Sequence, residues 1–116
     1  MKENEPTDIK KYTQSNGYIN IEYMMEDVFT MIENNDVDNA TKLILRMETI
    51  KGFNYKGIFE LFAEMAIKHY QDSLAKLIIQ KCYVTNSLFQ RACERHNFEI
   101  MKYLISRDID ARKTKV

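Results

Sequence analysis

The sequence predicts an all-α fold of three stacked helical hairpins. Apolar residues recur every three or four positions between residues 19 and 110, as they do along the buried stripe of amphipathic helices. The 116 residues include only three glycines and one proline, which argues against a turn-rich all-β architecture. A hairpin pattern also returns at intervals of roughly 30 residues, which is typical of helical repeat proteins.

The first hairpin begins at Asn20, whose side chain is suited to capping a helix N-terminus. The apolar stripe of the following helix consists of Ile21, Met24, Met25, Val28, Phe29 and Ile32. A polar run from Glu33 to Asp36 ends this helix, and Asp36 is predicted to cap the next one. The stripe of that second helix consists of Val37, Ala40, Leu43, Ile44 and Met47.

The second hairpin follows a loop that contains Gly52. Its first helix is predicted to start near Tyr55 and to end at residues 69–71. The apolar residues of this helix are Ile58, Phe59, Leu61, Phe62, Met65 and Ala66. Asp72 is predicted to cap the second helix, which is short. Its apolar residues are Leu74, Ala75, Leu77, Ile78 and Ile79.

The third hairpin starts at Thr85 or Asn86, since either residue can cap a helix. Its first helix carries Leu88, Phe89, Ala92 and Cys93. Asn97 is predicted to cap the last helix, which carries Ile100, Met101, Tyr103, Leu104 and Ile105. Six helices in three hairpins are therefore expected.

An internal repeat becomes visible when the second helices are aligned on Lys42, Lys76 and Lys102. Residues 39–44, 73–78 and 99–104 then superpose without a gap, and the lysines are 34 and 26 residues apart. A single hairpin cannot bury its apolar face alone, so the repeat predicts hairpins that cover one another.

The segment from Ser87 to Asp110 carries the most specific pattern in the chain. Four groups of residues follow one another along this segment. They are Phe89, Ala92 and Cys93, then His96-Asn97, then Ile100, Met101, Leu104 and Ile105, and finally Asp108-Ile109-Asp110. These residues resemble the first-helix core, the turn, the second-helix core and the ending of an ankyrin repeat. The resemblance extends, more weakly, over residues 21–110. The degenerate repeats are similar to ankyrin-like proteins of large DNA viruses, which implies binding and disabling of a host protein.

The chain departs from the ankyrin pattern at its turns. The Thr-Pro opening, the first-helix histidine, the turn glycine and the terminal glycine are missing from all three hairpins. A left-handed residue other than glycine costs about 1 kcal/mol, so some loops are expected to take other routes. We therefore predict an irregular ankyrin-like solenoid without regular β-hairpin fingers.

The expected organisation is one helical domain between two tails. Residues 1–18 are predicted to form a flexible polar tail, residues 19–110 the ankyrin-like domain and residues 111–116 a basic tail. With no signal-peptide pattern and no apolar run of membrane-spanning length, we expect an intracellular protein of the cytoplasm, including that of a host. The net charge of zero combines −5 over residues 21–48 with +5 over residues 49–116.

Candidate metal and catalytic groups are few. The candidate zinc ligands are His69, Cys82, Cys93 and His96. Only Cys93-x-x-His96 has the spacing of half a zinc site, and Cys93 is predicted to face the core. Glu60 and Glu64 form a carboxylate pair suited to acid–base chemistry, but they lie on a helix face expected to be solvated. We predict no cofactor, no metal and no enzymatic activity.

Exposed aromatic residues and hairpin tips favour binding of another protein. The candidate contact residues are Tyr18, Tyr23, Met24, Tyr70, His96 and Phe98. Tyr70 and His96 occupy equivalent hairpin tips, where repeat proteins commonly bind. Met24 suits either the core or an adaptable binding surface, and the helical spacing favours the core.

The predicted function is that of a non-catalytic protein-interaction module, a small inhibitor or adaptor directed at a host or regulatory protein. One alternative is a self-assembling structural subunit, in which the acidic end of one copy contacts the basic end of the next. Another is weak nucleic-acid binding through the basic C-terminal tail. Overall neutrality argues against general nucleic-acid binding.

Overall fold

The computed structural model describes residues 9–113, with side chains from residue 10 to residue 108. Over this range the chain forms six α-helices and no strand beyond an isolated bridge. The elements are a 3₁₀ helix at Ile9–Tyr12, α1 (Ile21–Glu33), α2 (Val37–Glu48), α3 (Lys56–Lys68), α4 (Asp72–Ile79), α5 (Asn86–Glu94) and α6 (Phe98–Lys113). The all-α prediction is confirmed, and each helix begins within one residue of its predicted start.

The chain divides between Tyr55 and Lys56 into two compact units. The 3₁₀ helix, α1 and α2 belong to the first unit, and α3 to α6 belong to the second. None of the described helices has the length and apolar character needed to cross a lipid bilayer.

In the first unit, α1 and α2 pack together as a hairpin. Its fully buried helical residues are Met24, Val28, Ile32, Ala40, Leu43, Ile44 and Met47. The predicted cap Asn20 is confirmed, because its Oδ1 accepts a hydrogen bond from the Tyr23 amide at 3.0 Å. Asp36 occupies the N-cap position of α2 without a capping hydrogen bond and instead accepts one from Asn39 Nδ2 at 2.8 Å.

Part of the predicted N-terminal tail packs on α1. Tyr12 is buried, and its hydroxyl donates to Asp27 Oδ2 at 2.8 Å. Lys11 Nζ lies 3.1 Å from the same oxygen, and an antiparallel bridge joins Thr13 to Ile19. Residues 9–13 therefore differ from the expected flexible tail, because burial of the Tyr12 ring fixes them to the helix. Residues 1–8 lie outside the described part of the chain.

In the second unit, the hairpin α3–α4 packs against the hairpin α5–α6, first helix on first helix and second helix on second helix. Helix α3 contacts α4 and α5, and α6 contacts α4 and α5. The largest buried side chains are Phe59, Phe62, Ile67, Leu74, Ile78 and Ile79. Thr85 Oγ1 accepts from the Leu88 amide at 3.4 Å, and Asn97 Oδ1 accepts from the Ile100 amide at 3.2 Å, which confirms both as caps. The cap position of α4 is Gln71, so the prediction of Asp72 there was wrong by one residue.

All three hairpin turns have the same backbone geometry. Asn35, Tyr70 and His96 are left-handed, with φ of 59°, 56° and 53°. At the last of them the His96 amide donates to the Cys93 carbonyl at 3.0 Å, and the Asn97 amide donates to the Ala92 carbonyl at 2.9 Å. The other two turns repeat this pair of bonds, which is the Schellman ending of a helix. The expectation that some glycine-free loops take another route therefore does not apply to these three turns, which keep the left-handed conformation without glycine.

The turns also correct the alignment of the repeats. The left-handed residues are 35 and 26 residues apart, whereas the aligned lysines are 34 and 26 apart. Thr41, and not Lys42, is therefore equivalent to Lys76 and Lys102. The neighbouring lysine misled the alignment by one residue, because a surface charge does not mark the buried stripe.

Candidate protein-binding surface

Three of the predicted contact residues come together on the two turns of the second unit. Tyr70 lies in the turn between α3 and α4, and His96 and Phe98 lie at the turn between α5 and α6. Tyr70 is 59% exposed and Phe98 is 64% exposed, and His96 is exposed as well. We call these residues, together with the exposed Lys68, His69 and Arg95, the turn surface.

A side-chain hydrogen bond joins the two turns directly. The Tyr70 hydroxyl donates to the Arg95 carbonyl at 2.7 Å, three residues before Phe98. The left-handed backbone at Tyr70 places this ring at the end of its hairpin rather than on a helix face. Both aromatic residues therefore belong to one surface.

The buried side chain of Asn97 connects the same two turns through hydrogen bonds. Its side chain is buried, and its Nδ2 donates to Asp72 Oδ1 at 2.8 Å while its Oδ1 caps α6. Beside it, Lys76 Nζ lies 2.7 Å from Glu99 Oε2. The hydrogen bond from Lys76 lowers the pKa of Glu99, and the same bond raises the pKa of Lys76. The turn surface thus rests on polar contacts that join α4 to α6.

The turn surface itself contains two cations and no acidic residue, and the neighbouring carboxylates contact other side chains. Asp72 accepts from Asn97, Glu99 pairs with Lys76, and Glu94 lies 3.1 Å from Arg91 Nη1. Lys68 and Arg95 form no ion pair with any of the described residues. Two cations are thus left available beside two exposed aromatic rings.

The other predicted contact residues lie in the first unit. Tyr18 is 72% exposed and lines a groove of about 350 Å³ with Ile21, Ile50 and Phe53. Tyr23 is partly covered, because its ring packs edge-on against Tyr12 with a centroid distance of 5.2 Å. These two tyrosines are available to a partner to different degrees.

Met24 was a wrong choice as a contact residue. Its side chain is fully buried four residues before the equally buried Val28, on the apolar stripe of α1. Helical spacing therefore decides its place, and the softness of the thioether contributes to the core rather than to a binding surface.

The carboxylate pair Glu60 and Glu64 is engaged in structure rather than solvated as expected. Glu60 Oε2 accepts from the Thr85 hydroxyl at 3.0 Å, and Glu64 Oε2 accepts from the Ser87 hydroxyl at 2.9 Å. Glu64 also lies 3.3 Å from Arg91 Nε. Both carboxylates face the start of α5, where the helix dipole favours negative charge. The pair connects α3 to α5.

The candidate zinc ligands occupy different environments. Cys82 is buried, whereas His69 and His96 are exposed on the turns. Burial, with a smaller contribution from the negative charge of Glu60, raises the pKa of Cys82 to about 11. Among the described residues, no three histidine, cysteine or acidic side chains are grouped so that they could hold a metal ion.

Sequence reasoning missed the two cations of the turn surface. Lys68 lies two residues before Tyr70 and Arg95 one residue before His96, so an alignment on the turns does not pair the two cations. Their closeness in the sequence to these predicted contact residues is the signal that could have found them. The Asp72–Asn97 contact carried no such signal, since each residue alone is typical of a helix cap. No protein-family model, curated protein or solved structure matches this chain.

Proposed function

We propose that this chain is a non-catalytic protein-interaction module that binds its partner through the turn surface. The observation that carries this proposal is the pair of exposed rings, Tyr70 and Phe98, on turns joined by the Tyr70–Arg95 and Asp72–Asn97 hydrogen bonds. Rings held on rigid turns lose little conformational entropy when a partner covers them. Covering an aromatic side chain fully stabilises a complex by about 2 kcal/mol.

The repeated turns support an irregular ankyrin-like architecture. Three hairpins end in the same pair of backbone hydrogen bonds, and within the second unit α3 packs on α5 and α4 on α6. We propose that these hairpins are divergent ankyrin-like repeats. By similarity to ankyrin-like proteins of large DNA viruses, the module acts inside the cell as an inhibitor or adaptor of a host or regulatory protein.

Affinity capture from a cell extract tests the proposal. The immobilised chain is compared with a Tyr70→Ala, Phe98→Ala variant and with a Tyr83→Ala control, which removes a ring that is 67% exposed outside the turn surface. We expect the wild-type chain and the control to capture the same protein and the double variant to lose it. Circular dichroism confirms that all three are folded.

Two outcomes contradict the proposal. Equal capture by the wild-type chain and the double variant would show that the partner binds elsewhere. Capture of nothing by any variant, together with turnover of a small-molecule substrate, would show that the chain is an enzyme.

Self-assembly is a second candidate function, because the first unit exposes acidic groups. Glu22, Glu26 and Glu33 are exposed on α1 and pair with no cation among residues 10–108. An acidic surface on one copy would attract the basic turn surface of another copy, and salt would weaken that attraction. Light scattering at low and high salt distinguishes a self-associating chain from a monomer. The basic residues 112, 113 and 115, on which nucleic-acid binding was predicted, lie outside the described side chains.

A further inference from the structure

We infer that the turn surface receives an acidic segment of another protein that also carries an aromatic or aliphatic side chain. This inference rests on the proposed function and adds to it the chemical class of the partner. It follows from three properties of the turn surface, which are the charge available to a partner, the position of the rings and the small number of cations.

The available charge at the turn surface is positive. Lys68 is the last residue of α3, and Arg95 directly follows the last residue of α5. The hairpin turns already satisfy the carbonyls there, since the Gln71 amide donates to Ala66 and the Asn97 amide donates to Ala92. The two cationic heads are therefore open to an external anion, and a carboxylate suits both of them.

Three carboxylates on the helices next to the two turns each contact another side chain. Asp72 is held by Asn97, Glu94 by Arg91 and Glu99 by Lys76, at distances between 2.7 and 3.1 Å. A partner carboxylate would thus meet attraction from Lys68 and Arg95 without displacing an existing ion pair. A basic partner would meet repulsion, so the charge also provides specificity.

The aromatic rings lie among these cations. Tyr70 follows Lys68 by two residues and contacts the second turn through its hydroxyl, and Phe98 follows Arg95 by three residues. Apolar groups surrounded by charged groups are the usual arrangement of a binding site for a protein segment. The partner therefore needs an apolar side chain for the rings and carboxylates for the cations.

A protein segment fits this surface better than a nucleic acid does. Binding to a phosphate backbone draws its affinity from many cations, and the chain as a whole is neutral. Two available cations beside two rings match one short acidic segment.

The test uses fluorescence anisotropy with the full chain and a labelled peptide of alternating glutamate and phenylalanine. The comparison probes replace glutamate by lysine, replace phenylalanine by serine, or are a single-stranded oligonucleotide. We expect the glutamate–phenylalanine peptide to bind more tightly than every other probe and to weaken as salt is raised. Tighter binding of the lysine peptide or of the oligonucleotide would overturn the inference.

Charge reversal locates the site. A Lys68→Glu, Arg95→Glu variant is expected to weaken peptide binding about tenfold or more, because it replaces attraction by repulsion. The control variant Lys42→Glu, Arg46→Glu makes the same change of net charge at two exposed residues of α2 and is expected to bind as the wild-type chain does. Equal loss in both variants would show that only the overall charge matters, which contradicts the inference.

Two further outcomes separate this inference from the proposed function. If capture of the cellular partner is lost in the Tyr70→Ala, Phe98→Ala variant but kept after charge reversal of Lys68 and Arg95, the interaction module stands and the acidic segment is refuted. If the wild-type chain self-associates in a salt-sensitive way that this charge reversal abolishes, the occupant is a second copy and not another protein.

Discussion

Replacing His96 by glycine is expected to stabilise the fold. His96 holds a left-handed backbone, with φ of 53°, at a position where helix endings favour glycine. Its side chain is exposed and makes no hydrogen bond or ion pair with the described residues, so its removal costs no contact there. The His96→Gly substitution therefore measures the free-energy cost of the left-handed backbone at this one turn.

The expected size of the effect is the difference between two backbone contributions. A left-handed residue with a Cβ atom costs about 1–2 kcal/mol relative to glycine. Glycine in turn gives the unfolded chain more freedom, which offsets about 0.4–1 kcal/mol of that gain. The middle of these two ranges gives a net increase of about 0.8 kcal/mol in the free energy of unfolding, or about 3–6 °C in Tm.

Urea denaturation followed by circular dichroism measures this difference. His96→Ala is the matched control, because it removes the imidazole but keeps the Cβ atom, and it is expected to leave stability nearly unchanged. Tyr70→Gly relieves the same conformation but loses the Tyr70–Arg95 hydrogen bond, so about 1 kcal/mol of the gain is offset. A His96→Gly variant no more stable than His96→Ala would refute the role assigned to the left-handed turn.

Three further predictions concern buried polar groups. Tyr12→Phe removes the hydrogen bond to Asp27 and is expected to cost about 1–2 kcal/mol in urea denaturation, whereas Tyr23→Phe is expected to be neutral. Asn97→Ala loses both the α6 cap and the contact with the α4 hairpin, so a cost of about 2–3 kcal/mol is expected, larger than for any variant that loses only one of them. The raised pKa of Cys82, about 11 in the folded chain, stabilises the fold below the pKa of an unfolded thiol, and this contribution is lost as pH rises through 11. Cys82→Ala is expected to flatten that decline, and an unchanged decline would contradict the assignment.

The helices could be predicted from the sequence because their determinants are local. Periodicity located six helices, and the caps Asn20, Thr85 and Asn97 act on amides three residues away. Tyr70 and His96 could be assigned to equivalent hairpin turns for the same reason, since their equivalence follows from position in the hairpin.

Several errors concern contacts between residues distant in the sequence, whereas the cap of α4 was misplaced by one residue although its determinants are local. The partners of Glu60 and Glu64 lie between 23 and 27 residues further along the chain, and their identity depends on how the hairpins pack. Tyr12 is likewise joined to Asp27 across a loop. A polar residue on a helix looks the same in the sequence whether it faces water or a hydroxyl group of the next hairpin.

The helices of the successive hairpins differ in length by about one helical turn. Helix α2 has 12 residues and its counterpart α4 has 8, while α3 has 13 and its counterpart α5 has 9. Each pair differs by four residues, close to one helical turn, so the apolar stripe keeps its direction despite the change in length. Insertions and deletions of about one helical turn within the helices should be tolerated. A single residue inserted within a helix would instead rotate the remainder of that helix by about 100° and misalign its buried side chains.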